Sequence, residues 1–184
     1  LAPDDVLRKT FDATTQLTMY VEAENRNIGR RHYKSRFNFL KQKRVNDCFH
    51  SDTFFPTVPA VDGETCSQLF VGANTVYMYV HPMKTESQSF QALQDFGRKI
   101  GLPKQIKTDN ASTEIGTKWT SWCREYCVDT RFTEPYSPGQ NNAEQGIGNL
   151  GTMVRRCMRE FGAPLSRHAW FQKWCVDVRN ILAS

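Results

Sequence analysis

The order in which the spacing of apolar residues changes along this chain constrains its fold more than any other feature. Val45 to Thr53 reads as a strand, and the Asp62-Gly63 turn signal precedes two further strand-like runs, Thr65 to Val71 and Val76 to Val80. These form an antiparallel pair returning across a sheet, with Pro82 expected to stop the second. From Glu86 to Ile100 the period becomes helical: Phe90, Leu93, Phe96 and Ile100 make one stripe, and Gly101 with Pro103 closes the segment. A short strand, Gln105 to Thr108, leads into Asp109. Ile115 to Tyr126 is a second amphipathic helix with Trp119, Trp122, Cys123 and Tyr126 on one face, and Val128 to Phe132 returns as a strand.

Thr133 to Asn142 is loop by composition, with two prolines, a glycine, two asparagines and a serine. The helix beyond it carries Ile147, Leu150, Met153 or Val154, Cys157 and Phe161, and ends at Gly162-Ala163-Pro164. A final helix from Ser166 is expected to turn Trp170, Trp174, Cys175, Val178 and Ile181 inside. The order β-β-β-α-β-α-β-α-α predicts an α/β domain over residues 45–184, a mixed five-stranded sheet flanked by helices. Before it, Asp4 to Met19 has room for a helix that its threonines weaken. Leu1 opens the chain without a methionine, which reads as a segment of something longer.

Three acids fall at the ends of these elements: Asp52 on the first strand, Asp109 after the short fourth one, and Glu144 at the start of the helix after the loop. Taken singly, each has an ordinary explanation, as a strand-end residue, a turn former beside Asn110 and an acid favoured in a first helical turn. Taken together, three carboxylates brought from distant parts of a chain make a cage for divalent metals. Hard ions such as Mg²⁺ take carboxylate and water oxygens and keep positions open for substrate phosphates.

The net charge of +5 is unevenly spread. Arg26, Arg30, Arg31, Lys34, Arg36, Lys41, Lys43 and Arg44 supply a third of the 24 basic residues, with no acid among them. Residues 1–44 therefore read as a basic extension or linker. A solvated tail is one reading; interleaving with His32, Tyr33, Phe37 and Phe39 favours a polyanionic partner, since cations track phosphates and rings stack on bases. Six scattered cysteines read as reduced thiols of an intracellular protein. There is neither a membrane-length apolar run nor a signal peptide. Cys123 and Cys127 lack partners at metal-ligand spacing, and nothing in the sequence makes His50 or His81 a base.

Ser51-Asp52-Thr53-Phe54, Thr108-Asp109-Asn110-Ala111 and the run from Pro135 to Glu144 resemble the catalytic-triad motifs of retroviral-type integrases. His81 to Glu86 and Phe132 to Tyr136 resemble integrases of copia-type retrotransposons in particular. The spacing between Asp109 and Glu144 is one residue shorter than is usual in the family, and the family's zinc-binding module has no counterpart here. The resemblance implies an RNase H-like fold and an enzyme of polynucleotidyl transfer. Asp52, Asp109 and Glu144 would be its catalytic and metal-binding residues, holding two Mg²⁺ or Mn²⁺ ions. It further implies DNA partners (element ends and target), a homo-oligomer, a nuclear location, and neither a membrane nor a small-molecule substrate. Gln140, Asn141 and Asn142 are candidate DNA contacts from the polar loop, and Arg155 and Arg156 are candidate phosphate contacts further along the helix. The alternatives are a transposase or RNA–DNA hybrid nuclease of the same fold, an inactive nucleic-acid-binding relic, and a structural piece of a larger assembly.

Overall fold

A computed structural model describes residues 3–14, 47–75, 77–109, 116–133 and 142–181. The basic stretch from Arg26 to Arg44, Gln140 and Asn141 lie outside these residues. The chain divides into two compact units, residues 44–177 and a second one of residues 1–43 with 178–184. Within the second, helix α1 (Asp4–Thr14) places Asp4 and Asp5 in its first turn, where they complement the helix dipole.

The larger unit is built on five strands: β1 (Cys48–Phe54), β2 (Cys66–Gly72), β3 (Met78–Met83), β4 (Gln105–Thr108) and β5 (Asp129–Phe132). Their order in the sheet is β3-β2-β1-β4-β5. The first three are antiparallel neighbours, whereas β4 and β5 add in parallel. The parallel steps cross over through helices α2 (Ser89–Lys99) and α3 (Thr117–Glu125). Helices α4 (Asn142–Glu160) and α5 (His168–Ile181) follow the last strand. The sheet is thus mixed and five-stranded, as the sequence predicts. Pro82 does not stop β3 but lies within it, opposite Ser67. β3 is an edge strand, where a missing N–H need not cost a ladder bond.

Side chains alternate across a strand, so register decides which residues face which helices. Phe49, Cys66, Phe70, Met83 and Ile106 pack with Phe96 of α2 and Trp119 and Cys123 of α3. Phe70 stacks on Phe96, with ring centroids 4.5 Å apart. On the opposite face Leu69, Val71, Met78 and Val80 pack with Leu150, Val154 and Met158 of α4 and Cys175 and Val176 of α5. The register between β1 and β2 is pinned by a buried polar chain: Thr53 Oγ1 donates to Gln68 Oε1 and Gln68 Nε2 donates to Ser51 Oγ, both at 2.6 Å.

The buried face of α5 differs from the expected one. Trp170 and Trp174 are 49 % and 47 % exposed and Ile181 is also exposed, while His168, Ala169, Gln172, Cys175 and Val176 are buried. The stripe has rotated because two polar side chains belong to it. Ser67 Oγ donates to Gln172 Oε1 at 2.8 Å, and Gln172 Nε2 lies 3.3 Å from His168 Nδ1. His168 Nε2 lies 2.8 Å from the Val58 carbonyl, which can only accept, so this nitrogen carries the proton. Polar groups satisfied in this way are buried at little cost. Phe161 and Tyr126, expected in helical stripes, are likewise exposed. Cys127 does not share a helix face with Cys123: it lies beyond the end of α3 with φ of 54°.

Candidate active site

Asp52 stands opposite Leu69, and His50 opposite Val71. Both partners belong to the layer covered by α4, so β1 presents His50 and Asp52 on that same face. In β4, Ile106 points into the other layer with Phe49, which leaves Lys107, opposite His50, on the α4 side. Continuing the alternation past the strand end carries Asp109 to that side too. Glu144 lies in the first turn of α4. Strand register and helix placement together bring the three acids to one end of one face.

The electrostatics of Asp52 reflect this convergence. Its carboxyl is pushed up from 3.8 to about 6, first by burial and next by the negative charge of Asp109. Glu144 adds a smaller push in the same direction. The Thr53 amide donates to Asp52 Oδ1 at 2.8 Å and opposes the shift by stabilising the ionised form. Two further carboxylates are therefore close enough for Asp52 to feel their charge. Among the described residues, no three Asp, Glu, His or Cys side chains already stand together as a group able to hold a metal. The donor set nevertheless suits a hard divalent cation, which would offset the mutual repulsion of three carboxylates.

Asn142 is the first residue of α4 and is exposed, as is Glu144. Arg155 and Arg156 are exposed on the same helix. Eleven residues past Glu144, Arg155 lies roughly 16 Å further along the axis, so the arginines do not join the acids. Arg155 Nη2 donates to Thr152 Oγ1 at 3.2 Å. His81 points to the other layer, 3.6 Å from Asp95.

Two residues that sequence reasoning passed over shape the site. His50 Nδ1 accepts a hydrogen bond from the Asn142 amide at 3.2 Å. A Cβ on Gly146 would come within 2.7 Å of Val71 Cγ2 and 3.3 Å of Leu69 Cδ2, so α4 meets the sheet closely there. Both were legible as spacings, His50 two residues before one acid and Gly146 two residues after another, but neither spacing is diagnostic without the register.

No protein-family model matches the chain, and no curated protein matches it in sequence. Solved structures do. The catalytic core domain of HTLV-2 integrase in complex with magnesium superposes with a TM-score of 0.56 at 17 % identity, covering 70 % of this chain and 83 % of that one. A chain of the simian T-cell lymphotropic virus intasome, in complex with a PP2A regulatory subunit, gives 0.60 at 17 % identity, over 72 % of this chain and 49 % of that one. The catalytic core of BIV integrase gives 0.55 at 11 % identity, over 69 % and 80 % respectively. At such identities the likeness speaks for architecture alone. The chain has the RNase H-like fold of integrase catalytic cores.

Proposed function

We propose that this chain is the catalytic core of a retroelement integrase, a polynucleotidyl transferase that processes DNA 3′ ends and joins them to target DNA. The observation that supports the reading is the placement of Asp52, Asp109 and Glu144 on one side of the sheet by the β1–β4 register and the first turn of α4, with the charges of Asp109 and Glu144 adding to burial in raising the Asp52 carboxyl. The fold's integrase neighbours, one of them in complex with magnesium, support it. So do the motifs around the three acids, including those that resemble copia-type enzymes.

Asp52, Asp109 and Glu144 would hold two Mg²⁺ or Mn²⁺ ions. When bound, such ions activate the attacking oxygen and neutralise charge gathering on the phosphate. The chain's own contribution is placement. Asp52 is fixed by its strand and by the Thr53 amide, Asp109 by the parallel β1–β4 register, and Glu144 by the packing of α4 on β2. In end processing, water forms a bond to phosphorus and a 3′-hydroxyl is left; in joining, that hydroxyl forms the new P–O bond and a target-strand 3′-oxygen departs. Gln140, Asn141 and Asn142 would meet DNA near the reacting phosphate, and Arg155 and Arg156 would meet phosphates further away. Catalysis on two DNA ends implies a homo-oligomer and a nuclear location. No helix among the described residues is long and apolar enough to cross a membrane.

The test is a strand-transfer assay on labelled element-end DNA with Mg²⁺ or Mn²⁺, wild type beside Asp109→Asn and Glu144→Gln. Products from wild type alone are expected. Equal products from the variants would refute the assignment of the acids. If no chain gives products, Mn²⁺ titration decides: a site present in wild type and lost in Asp109→Asn supports the reading, and identical isotherms reject it.

A further inference from the structure

Glu144 occupies the first turn of α4, where a helix has no internal partners for its leading amides and its end tends to fray. Its side chain is exposed, so packing of that side chain does not fix it. Yet a metal-holding acid has to be kept in register with Asp52 across the gap between a helix and a strand. The structure supplies two ties, one on each side of Glu144. Two residues after it, Gly146 seats the helix on Val71 and Leu69. Two residues before it, the Asn142 amide donates to His50 Nδ1 at 3.2 Å. His50 is only 7 % exposed and lies on the strand, and on the strand face, that carries Asp52.

We propose that His50 is a positioning residue for Glu144: its Nδ1 anchors the N-terminal amide of α4 to β1 and so sets the separation between the helical acid and Asp52. The proposal rests on the acid-cage reading above and adds to it how the cage is held. With Nδ1 accepting, the neutral ring carries its proton on Nε2. The bond satisfies one of the leading amides in the way a capping side chain does, but from a strand distant in sequence. A cap from within the loop would stabilise the helix without fixing it to Asp52; a cap from β1 does both, because His50 and Asp52 move together as residues i and i+2 of one paired strand.

The test uses the full chain and Mn²⁺ as probe. His50→Leu removes the acceptor and keeps an apolar body. His50→Asn returns an acceptor at a comparable distance from the backbone. Asn142→Pro deletes the donor without touching the core, since proline is tolerated in a first helical turn. Amide exchange at Asn142 is expected to accelerate in His50→Leu. Mn²⁺ affinity should fall about tenfold in His50→Leu and in Asn142→Pro, the scale seen when outer residues that orient metal ligands are lost. His50→Asn should recover most of it, and combining His50→Leu with Asn142→Pro should add little to either alone. If wild type binds Mn²⁺ and both single variants bind it equally well, the inference is overturned. It is also overturned if the two losses add, because His50 would then act by another route. A wild-type chain that takes up no Mn²⁺ overturns the acid-cage reading first, and this inference with it.

Discussion

Gly146 of α4 and Val71 of β2 approach so closely that a single added methyl would stand 2.7 Å from Val71 Cγ2. The next nearest atoms, Leu69 Cδ2 and Met78 Cε, are also sheet side chains buried in the same layer. The helix that carries Glu144 therefore rests on the sheet at one point where only glycine fits.

Gly146→Ala is expected to destabilise the chain by about 1–3 kcal/mol, the range for overpacking a filled core. It should also weaken Mn²⁺ binding, because α4 has to lift from β2 beside Glu144. Gly148→Ala, at a position where a Cβ meets nothing within 4 Å, is the control and should leave both unchanged or gain slightly in helix propensity. Chemical denaturation and Mn²⁺ titration of the two variants check this.

Asp52 gives a pH signature. Its carboxyl lies at about 6 in the folded chain against 3.8 as a free group, so folding favours the protonated form. That contribution is complete below about pH 4 and disappears as pH rises through about 6. In the presence of a chelator, Asp52→Asn, which cannot ionise, should melt above wild type near pH 7, with the gap closing toward pH 4. Excess Mn²⁺ should reverse the order near pH 7, since binding stabilises only the chain with an intact acid set. Melting curves with and without metal decide it; a gap independent of pH would mean that neither burial nor the neighbouring acids raise the Asp52 carboxyl.

Gln172 ties α5 to β2 and holds the His168 ring on its own helix. Replacing it with leucine leaves the Ser67 hydroxyl and His168 Nδ1 without their observed partner in a buried setting. The expected cost is about 2–6 kcal/mol, at about 1–3 for each of the two orphaned groups. Ser67→Ala in the same chain should return part of that loss, which denaturant titration of the single and double variants would reveal.

Cys127 adopts a left-handed conformation, φ of 54°, after α3. The Val128 amide donates to the Cys123 carbonyl at 2.8 Å and the Cys127 amide to the Arg124 carbonyl at 3.2 Å, a helix ending in which glycine is the usual residue. Cys127→Gly relieves the crowding of Cβ and should stabilise by up to about 1 kcal/mol. An unchanged or lower melting temperature would show that the strain is already absorbed.

The fold was largely legible because its elements obey local rules. The stripe Phe90, Leu93, Phe96 announces a helix through its spacing, and the short apolar run Leu69-Phe70-Val71 between turn signals announces a buried strand. Turn chemistry at Asp62-Gly63 and at Gly101 placed boundaries to within a few residues. Local rules failed where burial depended on a partner. Apolarity nominated Trp170 and Trp174 for the core, whereas His168 and Gln172 are the residues inside, because Ser67 and the Val58 carbonyl complete their hydrogen bonds.

The candidate site divides in the same way. Sequence by itself determined which acids are available, since Asp52, Asp109 and Glu144 are fixed by motif and spacing; Asp52 was expected to end its strand but lies within β1, which runs on to Phe54. Only the tertiary structure decided that they share one side of the sheet. That depends on the pairing of Asp52 with Leu69 and of His50 with Lys107, where a slip of one residue would turn an acid into the opposite layer. It depends equally on the contact of Gly146 with Val71 and of Asn142 with His50, which join residues 75 and 92 positions apart. Local spacing carries no information about such pairs, because the energy that selects them exists only once the sheet and helix have met.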